Sequence, residues 1–194
     1  MNVVQKEEKN ELWEWIKVIG IAAIFAMGMR YFIFTPVAVD GASMMPTFES
    51  GDKVIVNKIG PRLTAYERFD VVVFGEAKNK HYIKRIIGLP GDHIAYKDDV
   101  LYINGETFEE PYLASYKEAL TDKGDFTYDF TLEEQLGETT VPQGQFFVLG
   151  DNRRKSIDSR DQSIGFVAQE IVLGTAGFVI WPFDHIGGIQ ENNN

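Results

Sequence analysis

A chain of 194 residues, 44% hydrophobic and 25% charged, is long enough for one domain or for a core domain with an insertion, and its composition is that of a globular protein. A net charge of −10 would repel phosphates and leaves no basic groove, which sets nucleic acid aside as a partner. Without cysteine the chain has no disulfide, no thiolate metal site and no thiol nucleophile, and no repeat of about 20–50 residues divides it.

The charge is unevenly placed. Up to Phe34 the bases Lys6, Lys9, Lys17 and Arg30 balance the acids Glu7, Glu8, Glu11 and Glu14, so the excess negative charge lies beyond that point. Residues 13–34 are mostly apolar and 18–29 are uninterrupted. At ~1.5 Å per residue a helix over this stretch reaches roughly 33 Å, against about 30 Å of hydrocarbon. The expectation is a single transmembrane anchor, with Lys17 and Arg30 snorkelling, Trp13, Trp15 and Tyr31 at the interfaces, and Pro36 marking the exit. A cleaved signal peptide or a buried core helix are the alternatives, although the preceding tail lacks the basic excess of a signal peptide. Counting only Lys and Arg, Lys6, Lys9 and Lys17 against Lys53 favours a cytoplasmic tail over 1–12 and a domain outside the membrane.

After Pro36 the pattern changes to short runs rich in Val, Ile, Phe and Tyr: 53–57, 70–74, 82–87, 94–96, 100–103, 146–149 and 177–181. Turn signals such as Leu89-Pro90-Gly91-Asp92 and Asn104-Gly105 separate them, so the fold class is mainly antiparallel β. The stretch 98–144 is more polar and reads as an inserted non-catalytic subdomain. That leaves 35–97 and 145–185 as the catalytic β core and 186–194 as a tail.

Two residues in this core attract attention together. Ser43, in Gly41-Ala42-Ser43-Met44-Met45-Pro46-Thr47, is by itself an ordinary turn serine. Lys84, in Tyr82-Ile83-Lys84-Arg85-Ile86-Ile87, falls by strand alternation on the same face as Tyr82 and Ile86. On a solvated edge such a lysine is unremarkable in function. Buried, it loses hydration, its pKa falls from ~10.4, and its neutral amine can take a proton from a serine hydroxyl. His81, His93 and His185 show no ligand spacing and read as structural or exposed. The polar run 150–160 follows an apolar strand and suits residues that orient a base: Ser156 toward the lysine amine, Asp158 and Arg160 as an ion pair.

Taken in order, these segments resemble the bacterial type I signal peptidases of the single-anchor kind, which cut signal peptides from exported preproteins. The likeness covers the anchor, the Ser43 box with Gly51-Asp52, the run Arg68-Phe69-Asp70-Val71-Val72-Val73-Phe74, the Lys84 box with Gly88-Leu89-Pro90-Gly91-Asp92, and 150–160. It implies a Ser-Lys dyad with Ser43 as nucleophile and Lys84 as general base. Ser156 would orient the lysine, and Asp151, Asp158, Arg160 and Tyr82 would support the site. The backbone N–H of Ser43 would serve the oxyanion hole. Some relatives add a serine hydroxyl two residues earlier, but this chain has Gly41 there, so a backbone donor would replace it. The loop Asp161-Gln162-Ser163-Ile164 is longer than the usual form.

The resemblance further implies hydrolysis through an acyl-enzyme without cofactor or metal, after small residues at positions −1 and −3 of an extended substrate. Signal-peptide-bearing preproteins, membrane lipid and the secretion machinery are the implied partners. Met44, Met45 and Phe48 would either touch lipid or substrate or belong to the core. A β-lactamase-like site is excluded because Pro46 stands where its lysine would be. A self-cleaving repressor would carry a DNA-binding domain in place of the anchor. An inactive, membrane-anchored scaffold descended from the peptidase is the remaining alternative.

Overall fold

The computed structural model describes residues 11–32, 34–60, 64–76, 80–122 and 124–189. Among them one long helix and two antiparallel sheets form the framework, with short helical turns at Ala114–Glu118 and Leu132–Leu136. Helix α1 (Glu11–Phe32) leads into β1 (Phe34–Ala38). Next come β2 (Lys53–Asn57), β3 (Val71–Glu76) and β4 (Lys80–Gly88), then the small-sheet strands β5 (Ile94–Lys97), β6 (Val100–Ile103), β7 (Glu106–Phe108) and β8 (Phe130–Thr131). The chain returns through β9 (Gln145–Leu149), β10 (Val167–Ala168), β11 (Val172–Trp181) and β12 (Gly187–Gly188). The larger sheet runs β1-β2-β11-β3-β4-β9-β10 with β12 beside β11, and the smaller runs β7-β6-β5-β8.

The mainly antiparallel β architecture stands, with differences that have local causes. Pro36 does not mark the exit of the helix, which ends at Phe32, but sits inside β1. Proline is tolerated there because, among the described residues, β1 pairs only with β2, so one edge of the strand needs no N–H for a ladder. Strand β11 begins five residues before the expected 177–181. Its first half contains Gly174, which weakens the strand signal, and it is bulged against both neighbours.

The expected transmembrane anchor is not supported. The segment is helical, but no helix among the described residues is long and apolar enough to cross a membrane. Glu14 and Lys17 lie inside its first turns and confine the uninterrupted apolar run to 18–29. Residues 1–10 and 190–194 of the expected tails fall outside the described residues, as do the side chains of Arg30 and Tyr31.

Three apolar clusters hold the sheets. One lies under the Ser43 loop: Met44 and Phe48 are buried with Val54, Val56, Val71, Val73 and Ile83, so these two are core residues. A second gathers Val72, Phe74, Ile86, Phe146 and Val148, with Tyr82 packed against it and stacked on Phe74 at 5.7 Å. The third joins the sheets, bringing Ile87, Phe147 and Leu149 of the large one against Ile94, Tyr96, Leu101 and Phe130 of the small one. Each fully buried aromatic or aliphatic side chain here stabilises by about 1.5–3 kcal/mol.

Where β11 passes from β2 to β3, Gly174 lies against the backbone of Asn57. A β-carbon at Gly174 would collide with the Asn57 carbonyl oxygen and stand 2.8 Å from its carbonyl carbon. Backbone cannot give way as a flexible side chain can, so Gly174→Ala is expected to destabilise by about 2 kcal/mol or more, read from chemical denaturation.

Candidate active site

The loop from Val39 to Asp52 carries Ser43. Its ends are tied by Val39 N–H to Asp52 O at 2.8 Å and Gly51 N–H to Val39 O at 3.0 Å. The buried side chains of Met44 and Phe48 peg it to the core, and Phe48 N–H donates to Met44 O to close the turn. Ser43 is thus held at the surface by apolar neighbours on its C-terminal side. Its own backbone N–H has no hydrogen-bond partner among the described residues. Gly41 takes φ +92°, a conformation that glycine adopts without strain, and its N–H donates to Ser50 Oγ at 3.2 Å.

Strand β4 supplies Lys84. Antiparallel register places Lys84 opposite Val72 and Tyr82 opposite Phe74, so its alternating neighbours are apolar or aromatic. The lysine is 3% exposed, and its Nζ stands 2.8 Å from Ser43 Oγ. Among the described residues no carboxylate forms an ion pair with it. Loss of hydration therefore dominates and lowers the amine from 10.5 to about 8. The more distant Asp158 and Asp151 raise it by smaller amounts, and Arg160 lowers it.

The next residue on the strand, Arg85, points into a separate buried network that residue spacing alone did not reveal. Its Nε and Nη2 donate to Asp151 Oδ1 and Oδ2 at 2.9 and 2.6 Å, and its Nη1 donates to Phe69 O at 2.9 Å. The guanidinium lies 3.9 Å from the Tyr112 ring centroid. Thr47 Oγ1 donates to the same Asp151 carboxylate at 2.5 Å, so Asp151 joins β4 to the nucleophile loop. Asn152 adds two ties: its N–H donates to Ser43 O at 3.0 Å and its Nδ2 to Ala42 O at 3.1 Å. Asp158 binds Arg160 Nε at 2.8 Å and accepts from Gly150 N–H at 3.0 Å.

Ser156 departs from its expected role. Its Oγ is buried without a hydrogen-bond partner among the described residues, so it does not hold the lysine amine. It packs instead over Gly150, where an added β-carbon would meet Ser156 and would lie 2.5 Å from the Ser43 carbonyl oxygen. Of the histidines, His81 lines the groove beside the dyad, and His185 Nδ1 lies 3.1 Å from Asp52 Oδ1.

A groove of about 710 Å³ opens at the Ser43–Lys84 pair. One wall is β1 and the loop 39–43, the other is 81–84 of β4, and Lys155 and Ile157 complete it. Among the described residues both flanking strands have a free edge there: β1 pairs only with β2, and β9 pairs with β4 only from Arg85 onward.

The chain has clear relatives. Residues 12–181 match the family described as signal peptidase, peptidase S26. Signal peptidase I of Bacillus caldolyticus is 49% identical over 179 residues, which span 92% of this chain and 94% of that protein. Signal peptidase I T of Bacillus subtilis is 41% identical over 182 residues, spanning 93% and 91% respectively. A crystal structure of a signal peptidase I from Enterococcus faecalis superposes with a TM-score of 0.53 at 48% identity, over 57% of this chain and 95% of that one.

Two outcomes follow from this geometry. Between pH about 8 and 10.5 the unfolded chain binds a proton at Lys84 that the folded chain does not, so stability gains with pH across that window and the ammonium penalises the fold below it. Lys84→Met should therefore raise stability at pH 7 by about 1–3 kcal/mol, with the advantage shrinking toward pH 10, as calorimetry would show. Gly150→Ala should push Ser156 and the Ser43 carbonyl apart and lower turnover by about a hundredfold, with little change in KM.

Proposed function

Since the chain belongs to the bacterial type I signal peptidase family, peptidase S26, and is a serine peptidase, we propose that it removes signal peptides from exported preproteins through a Ser43–Lys84 dyad. The observation that carries this reading is the 2.8 Å contact between a buried, deprotonatable amine and the serine hydroxyl at the end of an open groove.

Neutral Lys84 removes the hydroxyl proton as Ser43 Oγ attacks the scissile carbonyl carbon. The oxyanion meets the free N–H of Ser43, a donor of the kind worth about 2.7–4 kcal/mol in a transition state. Gly41 N–H is a second donor only if it exchanges Ser50 Oγ for the substrate. Collapse of the tetrahedral intermediate breaks the C–N bond, and the lysine ammonium gives its proton to the departing amine. Lys84 then deprotonates a water, which attacks the acyl ester and restores Ser43. Asp151, Asp158 and Arg160 hold the surrounding loops, and Tyr82 packs beside the lysine. Ser156 contributes by packing on Gly150 in place of bonding the amine.

The two free strand edges suit an extended substrate that adds to both, with alternate side chains entering the groove. Small residues at −1 and −3 are the side chains that would enter the groove beside Ser43 in this pose. The segment 98–144, which contains most of the smaller sheet, is a non-catalytic element in this scheme.

Helix α1 exposes Leu12, Trp13, Trp15, Ile16, Val18 and Ile19 and has no polar face to separate them from water. A helix apolar all round is stable when other matter covers it, and we assign lipid to that role.

Mass spectrometry of a model preprotein incubated with the full chain tests the reaction. Cleavage after a small residue is expected from the parent, with rate rising through a midpoint of about 8, and with losses of at least about a thousandfold in Ser43→Ala and Lys84→Ala. Equal cleavage by all three would rule the dyad out. Co-flotation with anionic vesicles is expected for the full chain and should be lost when residues 1–32 are removed.

A further inference from the structure

The segment beside the Ser43 loop is gripped by a buried arginine, Arg153, that reaches into the smaller sheet and does not line the groove. Arg153 Nη2 donates to Glu110 Oε1 at 2.5 Å, and the two side chains are 0% and 3% exposed. Nη1 donates to Tyr96 Oη at 2.5 Å and, at 3.3 Å, to Thr127 Oγ1 and Glu110 Oε2. The Tyr96 and Tyr112 hydroxyls donate to Glu110 Oε1 at 2.9 and 2.7 Å, which satisfies the carboxylate.

The other side of the same guanidinium faces the active site. Arg153 Nε donates to Gly150 O at 3.1 Å, and the Arg153 carbonyl accepts from Arg160 Nη2 at 2.7 Å. Between Gly150 and Arg153 lie only Asp151, bonded to Thr47 and Arg85, and Asn152, bonded to Ala42 and Ser43. Both ends of the segment that clamps the nucleophile loop are therefore set by one side chain, and that side chain is set by Glu110.

We propose that Glu110 and Arg153 are positioning residues for the peptidase reaction, a strut by which the smaller sheet fixes residues 150–153 against the Ser43 loop. This rests on the Ser43–Lys84 reading. Neither residue lines the groove, so the strut acts on turnover and not on substrate capture. It also keeps water from the lysine, because the loop it holds lies among the groups that surround the amine.

The test compares steady-state kinetics and pH profiles of the full chain with those of Arg153→Lys and Glu110→Gln, with Ser43→Ala and Lys84→Ala run in parallel. Lysine keeps the charge opposite Glu110 but cannot reach that carboxylate and Gly150 O together, so Arg153→Lys separates stability from positioning. The expected result is a cooperative unfolding transition in Arg153→Lys with kcat down about tenfold or more, KM within about twofold, and the midpoint of the pH profile moved upward as the amine regains water. Glu110→Gln should change kcat and the midpoint in the same direction. Parent-like kcat and midpoint in a folded Arg153→Lys protein would overturn the strut while leaving the dyad intact. Loss of cooperative unfolding in both variants would also overturn it, by making the pair a folding element. Undiminished cleavage by Ser43→Ala or Lys84→Ala would instead remove the reading on which it stands.

Discussion

A lysine amine held out of water 2.8 Å from a serine hydroxyl is the constraint around which the rest of the molecule is arranged. An ammonium in that place has lost most of its hydration and, among the described residues, has no carboxylate in ion-pair contact to offset the loss. The fold bears this penalty because β4 is a central strand, flanked by β3 and β9, whose side chains Tyr82, Ile83, Ile86 and Ile87 are shared among the three apolar clusters. The serine arrives from a different part of the chain, 41 residues away, on a loop whose own hydrophobic pegs belong to the same core.

Around the dyad the charges are arranged in pairs that exclude Lys84. Asp151 is taken by Arg85 and Thr47, Asp158 by Arg160, and Glu110 by Arg153. Buried pairs of this kind add little net stability compared with apolar packing, but they define positions sharply and are costly to break singly. Here each one ends on the loop 150–160 or on the nucleophile loop. Their function is better understood as geometry than as stability, since they hold carboxylates near enough to orient the loops yet leave the amine deprotonatable near neutral pH.

Lys84 stands out in the sequence because a lysine alternating with Tyr82 and Ile86 in a strand is conspicuous, and strand alternation is a local signal, whereas Ser43 alone reads as an ordinary turn serine and its contact with Lys84 is long-range. The antiparallel β class was legible for the same reason, from runs such as 53–57 and 100–103 that coincide with β2 and β6. What escaped was long-range or locally ambiguous. Arg153 and Glu110 are 43 positions apart and follow no spacing rule, so only the packing of two sheets brings them together. Pro36 has the signature of a helix exit and sits in an edge strand, while the glycines of β11 mask half of that strand. Ser156 was expected at the amine, but the close packing over Gly150 turns it elsewhere. The apolar run of α1 has the sequence pattern of a membrane span, whereas no helix among the described residues is long and apolar enough to cross a membrane.

Titration of the Lys84 side chain itself bears most directly on the whole scheme. The measurement is NMR of the full chain in detergent with lysine labelled at ¹³Cε, the resonance being assigned by its absence from Lys84→Met. A midpoint of about 8 would place a usable neutral amine beside Ser43 at working pH. A midpoint near the ordinary 10.5 would mean that the amine remains hydrated and charged, and the proposed base would then be unable to take the serine proton.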